Sequence, residues 1–459
     1  MTLSSAALAA RVEPPRVGGR KGLIQSVLLL MVAMTLMLAG CGKSGDEKTV
    51  VRKKGTLIVW AWPGYFPEVL RDKFRDQTGF AIEFGELPAD EELLSVLANE
   101  DRPVDLIMPS AFVAKALREQ KLIVDFDKSL FSPDLVPMYS ASIYNPDFDT
   151  ENDYVIPYAW GATGIGYDAE RVIGLPSSWS ALFSGDPMPP IPPKAWGHQR
   201  LDKIVLLDDA RFTLGSVLLF QGKSPNTKVA QEVYDAADLL VELGRLHLKS
   251  DAQKQYYRIE YEEVRIPDLL RRGEIGLTMA WSADVTTAMH DSVRERNSQS
   301  AEDVVPGKPS LRIALPAEGS ILFRDSFIIP RQVKPENWEA AHRLIEFMLD
   351  PHHAAVVTNS SFYATTVTKA VPYVDRFILN GPSYFIHALG NNRFLEDLDE
   401  EMRLVYRESW ANVKNGRLYG ETLASRSGGL QTESTPTIVG PDLPPIDLPA
   451  GRSRSITRC

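Results

Sequence analysis

The sequence predicts an α/β protein of two lobes, each a mainly parallel sheet flanked by helices. Short apolar runs of strand type alternate with amphipathic stretches of helical period, the pattern of parallel sheets covered by helices. About 366 residues, 55 to 420, lie between two polar ends, more than one hydrophobic core ordinarily serves. Aromatic and acidic residues recur where the apolar runs end, and in parallel α/β sheets that is where ligands gather.

The N-terminus stands outside this pattern. Arg11, Arg16, Arg20 and Lys21 form a basic lead, and an uncharged run from Val27 to Ala39 ends in Leu38-Ala39-Gly40-Cys41. The run falls short of the ~20 apolar residues that span a bilayer and suits the core of a signal peptide. Residues 1–40 are therefore expected to be removed, and the polar residues 41–54 to form a tether. Small residues before a cysteine resemble the lipobox of bacterial lipoproteins. That resemblance implies a diacylglycerol on the Cys41 sulfur, and acyl chains gain about 0.8 kcal/mol per buried methylene.

The strand "TLIVW" (56–60) opens the first lobe, with Trp60 expected in the core. The helix "FPEVLRDKFRDQTG" comes next, with Val69, Leu70 and Phe74 inward and a stop at Gly79. "FAIEF" (80–84) is a second strand, "ADEELLSVLANE" (89–100) a second helix over Leu93, Leu94 and Leu97, and "VDLIMP" (104–109) a third strand. Strands recur at 203–209, 275–281 and 326–330, with helices at 229–246 and 338–349. The prolines of 185–200 suggest an extended surface insertion. Residues 421–459 have no aromatic residue and five prolines, the composition of a disordered tail. The expected division is 55–162 and 282–360 for lobe 1, and 163–281 and 361–420 for lobe 2.

Composition narrows the chemistry. Loss of residues 1–40 removes four basic residues and one acidic residue, moving the net charge from −10 to −13. Such a chain is poorly suited to nucleic acid and suited to cations. Cys41 and Cys459 are the only cysteines, so with Cys41 lipidated no disulfide can form within the chain and the core alone must hold the fold. The glycines of "WGATGIG" (160–166) do not match the dinucleotide fingerprint, and no phosphate loop, GxSxG elbow or HExxH helix occurs. His352-His353 read as a solvated helix end. Tyr256-Tyr257 are similar to the ligand pair of periplasmic ferric-ion binders, but no flanking histidine or carboxylate pattern supports iron. No catalytic residue, metal or cofactor is expected.

The strand ends carry the residues with chemistry. In chain order these are Trp62-Pro63-Gly64-Tyr65, Ser110 with Phe112, Asp208-Asp209, Trp281 with Asp284, Phe323 with Asp325, and Phe362-Tyr363. A flexible cation with ammonium ends needs flat aromatic walls along its methylenes and carboxylates at its ends. An ammonium over a ring gains about 0.5–2 kcal/mol and a hydrogen bond to a charged group about 1.5–3. Micromolar binding needs about 8 kcal/mol, which such a box supplies.

The stretches "WPGY" (62–65), "DLIMPSAF" (105–112), "IPYAWGATGIGY" (156–167), "WSAD" (281–284), "EGSILFRDSFIIP" (318–330) and "FYAT" (362–365) resemble the putrescine- and spermidine-binding proteins of bacterial ABC importers. These belong to the wider extracellular solute-binding proteins, and the resemblance covers most of residues 55–420. It implies a periplasmic-binding-protein fold whose lobes are joined by crossing segments and close on ligand by hinge motion. It implies that Trp62, Tyr65, Ser110, Phe112, Trp281, Phe323 and Tyr363 line the cleft, that Asp284 and Asp325 anchor ammonium groups, and that Asp209 lies near the ligand. The expected partners are a polyamine and an ABC permease, with the monomeric protein held by Cys41 on the extracytoplasmic face of a membrane. Two positions depart from the family: Gly64 stands where an acid is frequent, and Phe212 where a glutamate is common. Rival readings are another small solute such as an amino-acid-like cation or ferric ion, a ligand sensor, or an enzyme using the cleft carboxylates. The missing nucleophile motifs weigh against the enzyme.

Overall fold

A computed structural model describes residues 54–99, 102–132, 145–172, 174–186, 203–250, 256–298, 310–381, 384 and 390–422. The expected signal peptide, Cys41, the proline-rich insertion beyond Asp186 and the tail beyond Thr422 lie outside the described residues.

The first sheet is built as the alternation predicts. β1 (Gly55–Ala61) lies between β2 (Phe80–Glu86) and β3 (Leu106–Ile107), all parallel. Helix α1 (Glu68–Thr78) joins the first two strands, burying Leu70 and Phe74 and stopping at Gly79, which takes the left-handed conformation at φ 81°. Val69 was expected inward but is 62% exposed, because one residue is a rotation of about 100° on a helix and Leu70 takes the core position. In α2 (Asp90–Ala98) Leu93 and Leu97 are fully buried and Leu94 half-buried. The third strand is shorter than expected, and β4 (Ile123–Val124) lies beyond it.

The second sheet contains β5 (Ile156–Asp168), β6 (Lys203–Leu207), β7 (Arg258–Glu262), β8 (Leu277–Trp281), β9 (Leu311–Ala314) and β10 (Ile321–Phe327). β11 (Ile329–Pro330) pairs with β4, β12 (Ala364–Thr365) with β5, and β13 (Arg393–Phe394) with β10. The strand order is β13-β10-β5-β8-β6-β7. β6, β7 and β8 are mutually parallel, as expected, but β5 runs antiparallel to β8, β9 and β10. This sheet is therefore mixed, not mainly parallel. The longer helices of the rest of the chain are α3 (Ala210–Phe220), α4 (Ala230–Leu246), α5 (Ser282–Ser298), α6 (Trp338–Met348), α7 (Pro351–Ser361) and α8 (Glu400–Lys414).

β5 and β10 tie the two lobes together. Ile156, Tyr158 and Ala159 of β5 belong to the first core with Phe74, Leu106 and Leu344, whereas Ile165 and Tyr167 belong to the second with Val205, Leu218 and Met279. β10 runs back beside it, with Ile321 and Phe323 in the second core and Phe327 in the first. All thirteen residues of β5 are buried, which explains why it lacks the polar alternation of a half-exposed strand. Its glycines permit close approach: a Cβ on Gly161 would lie 2.6 Å from Cζ of Phe323.

Two sets of packing contacts fall across the expected boundaries at 281 and 360. Helix α5 packs on β9 and β5, and β9 pairs with the second-lobe end of β5. Helix α5 and β9 thus pack against the second-lobe end of β5, while Val367, Ala370, Val374 and Ile378 share the first core. The hydrophobic contacts across β5 and β10 decide this, and sequence spacing does not record them. Two smaller expectations also change. Asp350 caps α7 by accepting from the backbone N–H groups of His352 and His353, so a helix does begin there, but only His352 is exposed. His353 is buried, with Nδ1 2.7 Å from the Phe347 carbonyl and Nε2 2.7 Å from Lys73 Nζ. At the other end Glu421, expected in the tail, belongs to a helical turn and pairs with Arg245 at 3.0 Å.

Candidate functional site

The site grows from the ends of β1, β3 and β8 and from the interior of β10, which carries Phe323 and Asp325. β1 ends at Ala61, and the chain turns through Pro63-Gly64, with the Tyr65 N–H donating to the Trp62 carbonyl at 3.3 Å. Gly64 has φ 87°, a left-handed conformation that disfavours any side chain, and this is a physical reason for glycine where an acid is frequent in the resembling family. The turn sends Tyr65 into the interior, 1% exposed, where its hydroxyl donates to Oδ2 of Asp325. Ser110, two residues past Met108 beyond β3, donates its hydroxyl to Oδ1 of Asp325 at 3.2 Å. The Ser110 N–H in turn donates to Asp90 at 3.3 Å.

Asp325 is thus a buried carboxylate held by two neutral hydroxyls. Burial pushes its pKa up to about 7, and the Tyr65 and Ser110 hydrogen bonds pull only partly against that rise. Asp284 lies in the first turn of α5, directly after β8, and is half-buried. Its pKa is pushed up to about 8, first by burial and then by the charge of Glu263. Among the described residues the Asp284 carboxylate has no hydrogen-bond or ion-pair partner. Tyr363 lies within electrostatic reach of both aspartates, and its pKa is raised by burial, then by Asp284, Asp325 and Glu263.

A row of edge-to-face rings connects these acids. Tyr158 meets Tyr65 at 5.9 Å between centroids, Tyr65 meets Tyr363 at 5.6 Å, and Tyr363 meets Phe323 at 5.4 Å. Phe323 meets Trp281 at 5.1 Å, and Trp281 meets Phe212 at 4.5 Å. Such pairs contribute about 0.5–1.5 kcal/mol each beyond area burial and fix ring orientation. The arrangement offers apolar walls to methylene groups and carboxylates that a bound cation would drive to their charged form.

Of the ten residues predicted for the site, Tyr65, Ser110, Trp281, Phe323, Asp325 and Tyr363 are joined by these bonds and ring contacts, and Asp284 is joined to them electrostatically. Trp62 is half-buried and packs against both large cores. Phe112 is buried under the Arg211 guanidinium, 5.3 Å from its ring. Asp209 caps α3, accepting from the Phe212 N–H at 2.9 Å.

Sequence reasoning misses three residues. Phe212 extends the aromatic row, whereas residue type alone shows only the loss of an acid. Tyr158 needs β5 to be recognised, and Glu263 needs β7, whose end it directly adjoins. The paired Tyr256-Tyr257 instead border a separate cavity of about 370 Å³ with Leu243, Leu246 and Ile259. Its arginine, Arg171, is taken by Asp168 at 3.1 Å and the Gly273 carbonyl at 2.7 Å.

The pattern of a family described as bacterial extracellular solute-binding protein matches residues 70–377. The chain is 26% identical over 390 residues to the spermidine/putrescine-binding periplasmic protein of Salmonella typhimurium, covering 83% of this chain and 98% of that one. It is 26% identical over 391 residues to the putrescine/cadaverine-binding protein of Pseudomonas aeruginosa, covering 84% and 98%. Among solved structures, the TpPotD lipoprotein of Treponema pallidum superimposes with a TM-score of 0.61 at 21% identity, covering 78% and 99%. At that identity the likeness establishes the two-lobed periplasmic-binding-protein fold.

Proposed function

The chain belongs to the bacterial extracellular solute-binding proteins, and from that premise we propose that it captures a polyamine outside the cytoplasm and delivers it to the permease of an ABC importer. It is a binding protein and not an enzyme. The observation that carries the ligand class is Asp284, a half-buried carboxylate with a raised pKa and no partner among the described residues. It flanks an aromatic row that leads to a second carboxylate of raised pKa, Asp325, held by the Tyr65 and Ser110 hydroxyls. Putrescine or spermidine supplies what this arrangement lacks, with ammonium groups for Asp284 and Asp325 and methylenes for Phe323, Trp281 and Tyr363. The curated relatives are named for the same ligands. Binding selects the closed arrangement because the ligand bridges groups from both lobes.

The same proposal places the protein, as a monomer, on the extracytoplasmic face of a membrane, held by acyl chains on Cys41. Leu38-Ala39-Gly40-Cys41 supports this, and one relative of the same fold is a lipoprotein. Cys41→Ser is expected to move the protein from the membrane pellet to the soluble fraction; an unchanged distribution would refute the anchor. The ligand is tested by calorimetry of the purified chain with putrescine, cadaverine, spermidine and spermine. Micromolar or tighter binding of at least one is expected, and no heat with any of them sinks the polyamine assignment.

A further inference from the structure

We propose that His290 sets ligand affinity without touching the ligand, as a latch between helix α5 and the turn that carries Tyr363. This rests on the reading above of a polyamine-binding chain that closes on its ligand. Helix α5 buries Val285 and Ala288 in the second core, and its half-buried Asp284, Thr287, His290 and Asp291 recur at helical spacing along one flank. The His290 ring meets Phe362 at 5.1 Å between centroids and Phe377 at 5.7 Å. Both phenylalanines are half-buried and rest on the first core. One side chain thus bridges elements anchored in different cores. Its Nδ1 also lies 3.3 Å from Oδ1 of Asp291, a neighbour on its own helix. That contact engages a ring nitrogen, whereas the phenylalanines meet the ring itself.

On both sides the latch is one short step from the cleft. Asp284 lies in the first turn of α5, six residues before His290, about 9 Å along the helix. Phe362 immediately precedes Tyr363, whose ring meets Tyr65 at 5.6 Å and Phe323 at 5.4 Å. Phe362 ends α7 in the left-handed conformation at φ 62°, its N–H donating to the Thr358 carbonyl at 2.9 Å. A bulky residue rarely adopts that conformation. Here it turns two successive rings to different surfaces, Phe362 to α5 and Tyr363 to the aromatic row. The latch therefore ties the helix that carries Asp284 to the turn that carries Tyr363. A contact made only when these two meet favours the closed arrangement whatever ligand lies within it.

The test is calorimetry and stopped-flow dissociation of putrescine and spermidine from the full chain, from His290→Ala, His290→Phe and Phe362→Asn, and from His290→Ala combined with Phe362→Asn. His290→Ala is expected to weaken both ligands by the same factor, about fivefold, carried by faster dissociation. His290→Phe keeps a ring against both phenylalanines and should bind within about twofold of wild type. Phe362→Asn keeps the left-handed turn but removes the ring, so the double variant should lose less than the product of the two single losses. The thermal midpoint of ligand-free His290→Ala should stay within about 2 °C of wild type, since the contact forms on closure. No loss in His290→Ala, unequal losses for the two ligands, multiplying losses in the double variant or a lower midpoint overturns the inference while leaving the polyamine reading intact. Wild-type protein that binds neither amine overturns that reading and the inference with it.

Discussion

Asp209 and Asp284 occupy matching places, each just beyond the end of a parallel strand of the second sheet, where a helix begins. Asp209 lies past β6 and turns its carboxylate back on its own chain, accepting the Phe212 N–H at 2.9 Å as the cap of α3. Asp284 lies past β8 but inside the first turn of α5, beyond the position from which such a carboxylate caps most readily, and no hydrogen-bond partner is found for it among the described residues. A small displacement along the chain separates an acid that caps a helix from one that burial leaves with a raised pKa and no hydrogen-bond partner among the described residues. An acid at a strand end therefore marks a site only when the local backbone does not already satisfy it.

The comparison predicts opposite outcomes for the two positions. Asp284→Asn should weaken polyamine binding by about 1.5–3 kcal/mol, the worth of a hydrogen bond to a charged group, read by calorimetry at pH 8. The same variant should raise the thermal midpoint of the ligand-free protein at pH 8. A carboxyl whose folded pKa lies near 8, above its unfolded value near 4, stabilises the fold fully below pH 4, and that stability is lost as pH rises through 8. The gain from Asp284→Asn should accordingly vanish toward pH 4. Asp209→Ala is the smaller change. It should lower stability by about 1 kcal/mol through loss of the cap and alter polyamine affinity by less than about threefold. A larger affinity loss from Asp209→Ala than from Asp284→Asn would reverse the assignment.

The sequence made the first sheet legible because its strands and helices alternate, with Gly79 punctuating α1 and Leu93 and Leu97 marking the inner face of α2. It concealed β5, since a strand buried on both faces shows no alternation and Gly161, Gly164 and Gly166 look like loop. β5 contributes side chains to both cores, so the packing that joins the two lobes was not legible from sequence spacing. Part of the candidate site was legible because Tyr65, Ser110, Trp281 and Asp284 stand at or just past strand ends, whereas Phe323 and Asp325 lie within β10. Glu263 stayed hidden because "RIEYE" carries too weak an apolar signal to read as a strand, leaving no end to inspect. Phe212 stayed hidden because residue type shows the charge it lacks, whereas its ring packs against Trp281 at 4.5 Å. The capping role of Asp209 arises from a backbone contact three residues away, which residue type alone does not distinguish from ligand binding.

The central claim is that the two cleft aspartates await a cation in partly protonated form. At pH 7 Asp325, near its pKa of about 7, is half protonated, and Asp284, with a pKa of about 8, is mostly so. Binding a polyamine should ionise both, and calorimetry at pH 7 in buffers of different ionisation enthalpy measures the protons released. About one to one and a half protons per ligand are expected, falling by about one in Asp284→Asn. Polyamine binding whose heat is the same in every buffer, with no proton released, would contradict the account.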